Sequence, residues 1–195
     1  MKNEEPGFIL LAAGKSTRFG SNKLLTTIDG KQTLLLQTAK RILSISNQLL
    51  VVSNDNDTAI STLLDEQAIA RISTPDSELG MAHSLAYGVQ QRAHWNGWII
   101  CLADMPTIRP TTYQAVQHAL KDQKLVVPRY KNRAGNPVGF SKPFFNRLIK
   151  LEGDKGAKSI LQANSSQVFH LNCEDPGILL DADTPEKLEI LKSQG

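Results

Sequence analysis

Three basic residues follow the first apolar segment of the chain, in a loop that begins with small residues. Lys15, Arg18 and Lys23 lie within nine residues, after Ala12-Ala13-Gly14. Small residues let the backbone approach a ligand closely, and exposed backbone N–H groups in such a loop bind anions. Three cations beside these groups match a polyphosphate better than a neutral ligand. The alternative is an ordinary strand–helix connection with solvated charges.

Acidic residues follow two later apolar segments. Asp104 comes directly after the segment 98–103, and Asp181 and Asp183 come after the segment 178–180. Mg²⁺ is typically held by one or two carboxylates together with phosphate oxygens. The two motifs therefore predict a magnesium site if the fold brings them together. Asp104 could instead cap a turn, and either of the later acids could cap the last helix.

The elements that must position these residues alternate between strands and helices. The pattern predicts strands at 7–11, 49–52, 70–73, 98–103, 125–127, 168–171 and 177–180, helices at 33–43, 58–67, 81–92, 110–121, 142–150, 156–163 and 185–192, and an irregular hairpin at 129–140. Such alternation requires crossover connections, so we expect an α/β fold with a mostly parallel sheet covered on both faces. Ligands of such sheets bind at the carboxyl ends of the strands, where the basic loop and both acidic motifs fall.

The composition limits the classes of protein to consider. The 195 residues are 41% apolar and 21% charged, which predicts one globular domain over residues 1–195. A net charge of +3 is too small to indicate nucleic acid as a partner but suits an anionic small molecule. The apolar runs are shorter than the roughly 20 residues of a membrane span. The first residues lack the order of a signal peptide, in which a basic segment is followed by an apolar one. Two cysteines, Cys101 and Cys173, form no disulfide framework. We expect a cytoplasmic protein without membrane contact.

Several motifs together resemble a known family. The first, Leu11-Ala12-Ala13-Gly14-x-Ser16-x-Arg18-x-Gly20-x-x-Lys23, is similar to the LAAGxSxRxGxxK signature of sugar-nucleotide-type nucleotidyltransferases. Four more motifs follow in the order seen in molybdenum cofactor cytidylyltransferases and their relatives: Asp104-Met105-Pro106, Gly135-Asn136-Pro137-Val138, Gly153-Asp154-Lys155-Gly156-Ala157 and Asp181-x-Asp183-Thr184-Pro185. The resemblance covers nearly the whole chain. It departs at Phe19, where the family often has Met, and at Asn136, where close relatives often have His.

The resemblance implies a fold, a reaction and a base preference. The fold is a Rossmann-like three-layer α/β/α sandwich of the nucleotide-diphospho-sugar transferase type. The reaction is Mg²⁺-dependent transfer of CMP from CTP to the phosphate of molybdopterin, with release of pyrophosphate. Ala13 favours CTP over GTP, because related guanylyltransferases usually have glycine at that place. A molybdoenzyme that accepts the product is a further expected partner.

The resemblance also implies roles for individual residues. The nucleotide-binding residues would be Leu11, Ala12, Ala13, Gly14, Arg18, Lys23 and Ser84. Arg18, Lys23 and Asp104 would be catalytic, and Asp104 and Asp183 would hold Mg²⁺. The acceptor-binding residues would be Gly135, Asn136, Pro137, Asp154 and Lys155. Three of these assignments have an ordinary alternative. Ser84 could be a helix cap, and Gly135-Asn136-Pro137 and Asp154-Lys155 could be ordinary turns.

Other functions remain open at this point. One is transfer to another phosphorylated acceptor, such as a sugar or alditol phosphate, or transfer from GTP. A second is a non-catalytic accessory protein that binds molybdenum cofactor, although it would not need both Asp104 and Asp183. A third is an oxidoreductase, which the absence of a GxGxxG fingerprint disfavours.

Overall fold

The computed structural model describes residues 5–13, 22–28, 30–74, 80–153 and 156–192. The strands are β1 Gly7–Leu11, β2 Leu49–Asn54, β3 Arg71–Thr74, β4 Gly97–Leu102, β5 Leu125–Tyr130, β6 Arg133–Ala134, β7 Val138–Ser141 and β8 Val168–Asn172. The α-helices are α1 Leu34–Leu43, α2 Thr58–Glu66, α3 Met81–Gln91, α4 Pro110–Ala119, α5 Phe145–Leu148, α6 Lys158–Ala163 and α7 Pro185–Lys192. Short 3₁₀ helices lie at Lys23–Leu25, Lys142–Phe144, Ser165–Gln167 and Pro176–Leu179.

The eight strands of the described residues belong to one sheet. Its order is β3-β2-β1-β4-β7-β5-β6, and β8 pairs with β5. The pairs β1–β2, β1–β4, β2–β3 and β5–β8 are parallel, whereas β7 is antiparallel to both β4 and β5, and β6 is antiparallel to β5. The predicted α/β architecture with a mostly parallel sheet is therefore confirmed.

Helices cover both faces of the sheet, because β1, an interior strand between β2 and β4, is apolar on both sides. Phe8 and Leu10 pack into one apolar cluster with α1, α2 and α4. Ile9 and Leu11 point to the opposite face and pack with α3, α5 and α6. Alternate residues of a strand face opposite sides, so an uninterrupted apolar run is typical of a strand buried on both.

The carboxyl end of β1 is the point where the direction of winding reverses. The chain passes from β1 to β2 and β3 on one side, and then crosses to β4 on the other. The ladder continues past the strand end, since Ala12 N–H donates to the Val52 carbonyl at 2.8 Å and Ala103 N–H donates to the Leu11 carbonyl at 3.1 Å. Such a reversal leaves a crevice that binds ligands in open α/β sheets.

Two predicted elements are wrong. The segment 177–180 is not a strand but belongs largely to the 3₁₀ helix Pro176–Leu179, whose first turn is capped by the side chain of Asp175. The predicted helix at 142–150 is instead a 3₁₀ turn followed by the four-residue α5. Among the described residues, no helix is long and apolar enough to span a membrane.

Candidate active site

The residues Leu11, Ala12 and Ala13 form the floor of the crevice. They are between 4% and 8% exposed, because β2 and β4 flank them on either side. The small side chains of the two alanines leave their backbone close to the crevice. Gly14, Lys15 and Arg18, which complete the predicted anion-binding loop, lie outside the described residues.

Lys23 is held at the crevice by its own short helix. The side chain of Asn22 accepts a hydrogen bond from Leu24 N–H at 3.1 Å and caps the 3₁₀ turn Lys23–Leu25. Leu24 is buried in the core beneath. The Lys23 ammonium donates to Asp104 Oδ2 at 2.7 Å and to Asp183 Oδ1 at 2.6 Å. The Lys23 ammonium thus contacts two acids that lie 81 and 160 residues further along the sequence.

Asp104 lies one turn beyond the end of β4, with only 15% of its side chain exposed. Burial raises the pKa of Asp104 above its ordinary value, although the Lys23 ammonium opposes this shift. No backbone N–H among the described residues donates to the Asp104 carboxylate, so its alternative role as a turn cap is not seen in the described part of the chain. The carboxylate instead points to Lys23.

Asp183 reaches the same place through a tethered segment. Ala182 N–H donates to the Asp104 carbonyl at 2.9 Å, and the Ala182 side chain is fully buried. The Asp183 side chain is half exposed, and its hydrogen bond from Lys23 lowers its pKa. Partial burial lowers the pKa of Lys23 itself, but the two carboxylates outweigh this and raise it overall.

Asp181 has a different set of partners. Its carboxylate accepts hydrogen bonds from the Lys187 ammonium and, at 3.3 Å, from Asp183 N–H. Asp183 therefore shares Lys23 with Asp104, whereas Asp181 pairs with the last helix. Thr184, not either acid, accepts from Lys187 N–H at 3.3 Å in the first turn of α7.

The cluster of Lys23, Asp104, Asp181, Asp183 and Lys187 fits a divalent cation. The described residues contribute three carboxylates and two ammonium groups to it. One oxygen of Asp104 and one of Asp183 accept hydrogen bonds from the same nitrogen, that of the Lys23 ammonium. Within the described ranges, no group of three or more His, Cys, Asp or Glu residues is placed to hold a metal. Two carboxylates are the protein contribution that Mg²⁺ commonly accepts alongside phosphate oxygens and water.

The remaining predicted residues lie at this edge or outside the described chain. Ser84 is the fourth residue of α3 and only 2% exposed, and Gly80 is the N-cap, so Ser84 is not a helix cap. Gly135 N–H donates to the Pro128 carbonyl at 3.0 Å, and Asn136 N–H donates to the Ile178 carbonyl at 3.0 Å. Pro137 follows through a cis peptide bond. Asp154 and Lys155 lie outside the described residues.

The sequence analysis missed two residues of this region. Lys187 forms an ion pair with Asp181. The two residues are six positions apart, on either side of the start of a helix, and no sequence pattern predicts an ion pair at that separation. Asp175 is a buried carboxylate at the start of the segment that carries Asp183. Its signal was available, because Asp175-Pro176-Gly177 is a typical turn-forming sequence.

Comparison with known proteins assigns the chain to a family. The model of the MobA-like NTP transferase domain matches residues 8–168. The chain belongs to this family. A curated relative of this MobA-like NTP transferase is the purine catabolism protein PucB of Bacillus subtilis, 28% identical over 94% of this chain and 94% of the relative. A probable molybdenum cofactor guanylyltransferase of Thermococcus sibiricus is 26% identical over 76% of this chain and 74% of the relative.

Solved structures share the fold along the whole chain. The crystal structure of Rv0371c from Mycobacterium tuberculosis superposes with a TM-score of 0.87 at 25% identity, covering 99% of this chain and 100% of that protein. Its complex with manganese superposes with a TM-score of 0.82 at 23% identity, covering 98% and 100%. The MobA-like NTP transferase described here is therefore a nucleotidyltransferase of the Rossmann-like type.

Proposed function

We propose that this protein is a cytoplasmic single-domain enzyme that transfers CMP from CTP to the phosphate of molybdopterin, with Mg²⁺ as cofactor. The observation that carries the proposal is the contact of Lys23 with both Asp104 and Asp183. This contact places one cation and two carboxylates beside the buried backbone of Leu11–Ala13. A triphosphate and its metal need these charges at one strand edge.

Asp104 and Asp183 would hold the Mg²⁺. When bound, the ion neutralises and orients phosphate oxygens of the nucleotide. The half-exposed position of Asp183, which leaves its carboxylate accessible to an ion from solvent, supports this assignment over a purely structural ion pair. The manganese complex of Rv0371c supports a divalent ion in a protein of the same fold.

The reaction needs no protein side chain as a general base. An oxygen of the acceptor phosphate forms a bond to the α-phosphorus of CTP, and the bond from that phosphorus to the bridging oxygen of pyrophosphate breaks. A phosphate monoester has a second pKa near 6, so it is mostly a dianion at neutral pH and already nucleophilic. We assign Lys23 and Arg18 to the triphosphate and the leaving pyrophosphate, where fixed cations stabilise the charge that accumulates.

The choice of base and acceptor rests on separate arguments. Ala13, in place of the glycine usual in related guanylyltransferases, favours CTP. The printed name of the Thermococcus sibiricus relative supports a molybdenum cofactor precursor as the acceptor. Asp154 and Lys155 would close over that acceptor, and Gly135, Asn136 and Pro137 would border it.

Arg129 supports an anionic acceptor. It lies near the carboxyl end of β5, which runs in the same direction as β4 because β7 is antiparallel to both. Its Nε atom is buried and has no hydrogen-bond partner among the described residues. A buried donor without a partner calls for an explanation, and an anionic group of a ligand at this edge provides one.

The test is a pyrophosphate-release assay with each of the four nucleoside triphosphates, Mg²⁺ and molybdopterin. We expect release with CTP, at least ten times slower release with GTP, and none after chelation of the metal. If none of the four nucleoside triphosphates gives pyrophosphate, while a control enzyme accepts the same molybdopterin, the proposal is refuted. A preference for GTP would overturn the base assignment, and release with a sugar phosphate but not molybdopterin would overturn the acceptor.

A pair of arginine variants tests the acceptor side separately. Arg129→Gln is expected to raise the KM for the acceptor about tenfold, the usual effect of losing one charge-assisted hydrogen bond, without changing the KM for CTP. Arg133→Gln is the matched control, because Arg133 is exposed at the start of β6. Equal KM values for the two variants would remove Arg129 from the acceptor site.

A further inference from the structure

The segment from Asp175 to Asp183 is fixed to three other parts of the molecule before it reaches the active site. It follows β8, forms the 3₁₀ helix Pro176–Leu179, and then leads to the last helix. None of its contacts with the sheet is a strand pairing. Its course therefore depends on individual hydrogen bonds and close backbone contacts, each of which can be identified.

The first point of attachment is the buried carboxylate of Asp175. Its Oδ2 accepts hydrogen bonds from Arg109 N–H at 2.8 Å and from the Thr112 hydroxyl at 2.6 Å, while Oδ1 accepts from Gly177 N–H at 2.9 Å. One side chain thus caps the 3₁₀ helix and also binds the start of α4, whose N-cap residue is Arg109. The Arg109 guanidinium adds a hydrogen bond to the Glu174 carbonyl at 3.1 Å.

The second point is a pair of backbone contacts that require glycine. A Cβ atom on Gly177 would lie 2.6 Å from the carbonyl oxygen of Thr107, in the loop between Asp104 and α4. A Cβ atom on Gly135 would lie 2.2 Å from the carbonyl oxygen of Ile178. The same Ile178 oxygen accepts from Asn136 N–H at 3.0 Å. The segment is therefore enclosed between the loop after β4 and the residues before β7.

The third point lies next to the metal-binding residues. Ala182 N–H donates to the backbone carbonyl of Asp104 at 2.9 Å, and Ala182 is fully buried beside α1 and α7. Asp183 follows directly and contacts Lys23. The distance between the Asp104 and Asp183 carboxylates is thus set by the path of the backbone from Asp175 onward.

We propose that Asp175 is a positioning residue for the second metal ligand, Asp183, and that Gly135 and Asn136 serve the same segment through their backbone. This inference rests on the proposed function, because it takes Asp104 and Asp183 to hold a divalent cation. The hydrogen bonds of Asp175 go to Arg109, Thr112 and Gly177, and not to Lys23, Asp104 or Asp183. It acts by fixing the start of the path that ends at Asp183.

Three variants test this role. Asp175→Asn keeps the shape of the side chain but replaces one acceptor oxygen with an NH₂ donor, so in either orientation of the amide one of the two backbone N–H groups that point at it loses its acceptor. Thr112→Val removes only the 2.6 Å hydrogen bond and keeps the volume. Gln117→Met is the matched control, because Gln117 is also a buried polar residue of α4 but donates at 2.8 Å to Pro6 at the opposite edge of the sheet.

The first measurement needs no metal. Hydrogen exchange followed by mass spectrometry reports the protection of the peptide 176–184, which contains the Ala182 amide. We expect exchange of this peptide to accelerate at least tenfold in Asp175→Asn, less in Thr112→Val, and not at all in Gln117→Met. Unchanged protection in a folded Asp175→Asn protein would overturn the proposal. Thr112→Val preserves this test if Asp175→Asn does not fold.

The second measurement is binding of Mn²⁺ alone, followed by the electron paramagnetic resonance signal of the free ion. We expect an affinity at least tenfold weaker in Asp175→Asn than in the wild type, and a wild-type affinity in Gln117→Met. Equal affinities in the wild type and Asp175→Asn would overturn the inference alone. A wild-type protein that binds no Mn²⁺ would instead overturn the metal site of the proposed function, and the positioning role with it.

Discussion

Replacing Lys23 with methionine is expected to destabilise the protein by about 3 kcal/mol. The substitution keeps most of the apolar stem but removes the ammonium that contacts both carboxylates. The Asp104 side chain is only 15% exposed, and leaving one member of a buried ion pair without its partner costs roughly 3–5 kcal/mol. Asp183 is half exposed, so its lost contact adds at most about 1 kcal/mol. Because the site is open to solvent beside Asp183, we expect the total loss of stability to lie near the lower limit of this range, at about 3 kcal/mol.

The assay is thermal and urea unfolding with and without Mg²⁺. For a chain of 195 residues, 1 kcal/mol corresponds to roughly 2–4 °C in Tm, so we expect Lys23→Met to lose about 6–12 °C. Mg²⁺ should restore part of this loss, since a ligand at one hundred times its Kd stabilises by about 2.7 kcal/mol. The increase in Tm should be larger in the variant than in the wild type, because the variant lacks a competing ammonium between the two acids.

The control is the neighbouring ion pair. Lys187→Met removes an ammonium that is 48% exposed and pairs with Asp181. Such a surface pair contributes about 0–1 kcal/mol, so the Tm should fall by less than about 4 °C. Equal losses in the two variants, or a Lys23→Met protein as stable as the wild type, would refute the reasoning that Asp104 depends on Lys23.

Three further predictions follow from other parts of the structure. Asp183→Asn should lower kcat about 100-fold in the pyrophosphate assay, whereas Asp181→Asn should stay within a few fold; the reverse order would exchange their roles. Gly7→Ala should lower the free energy of unfolding in urea by about 1–3 kcal/mol, because its Cβ would lie 2.3 Å from an aromatic ring; an unchanged midpoint would contradict this. Burial raises the pKa of Cys101 well above its ordinary value, and that of Cys173 less severely, so a disulfide reagent at pH 8 should label Cys173 in the native protein and Cys101 only after unfolding; equal rates would count against it.

The sequence predicts the sheet well where burial alone decides the conformation. The run Gly7–Leu11 is apolar at every position after its glycine, and it is an interior strand of the sheet, between β2 and β4. The apolar run at 178–180 misleads, because Asp175 holds it in a 3₁₀ turn through contacts with a helix more than sixty residues away. Hydrophobic pattern carries no information about such a distant hydrogen bond.

The site was predictable to the level of strand ends but not of single side chains. The rule that ligands bind at carboxyl ends brings Lys23 and Asp104 together, and the structure places them together. The last acidic motif joins them after a 3₁₀ helix, and not after the strand that its apolar run predicts. Asp181 and Asp183 are two residues apart, and the sequence does not distinguish them. The distinction comes from Lys187, which pairs with Asp181 and leaves Asp183 to Lys23.

The last strand of the sheet ends at Asn172, yet the second acid of the site follows it. The domain family match likewise stops at residue 168. The segment after β8 also completes the core, because Ile178 is buried in the main apolar cluster beside the sheet. A truncation after β8 is therefore expected to remove a buried residue together with Asp183, and to lower stability as well as to remove the proposed metal ligand.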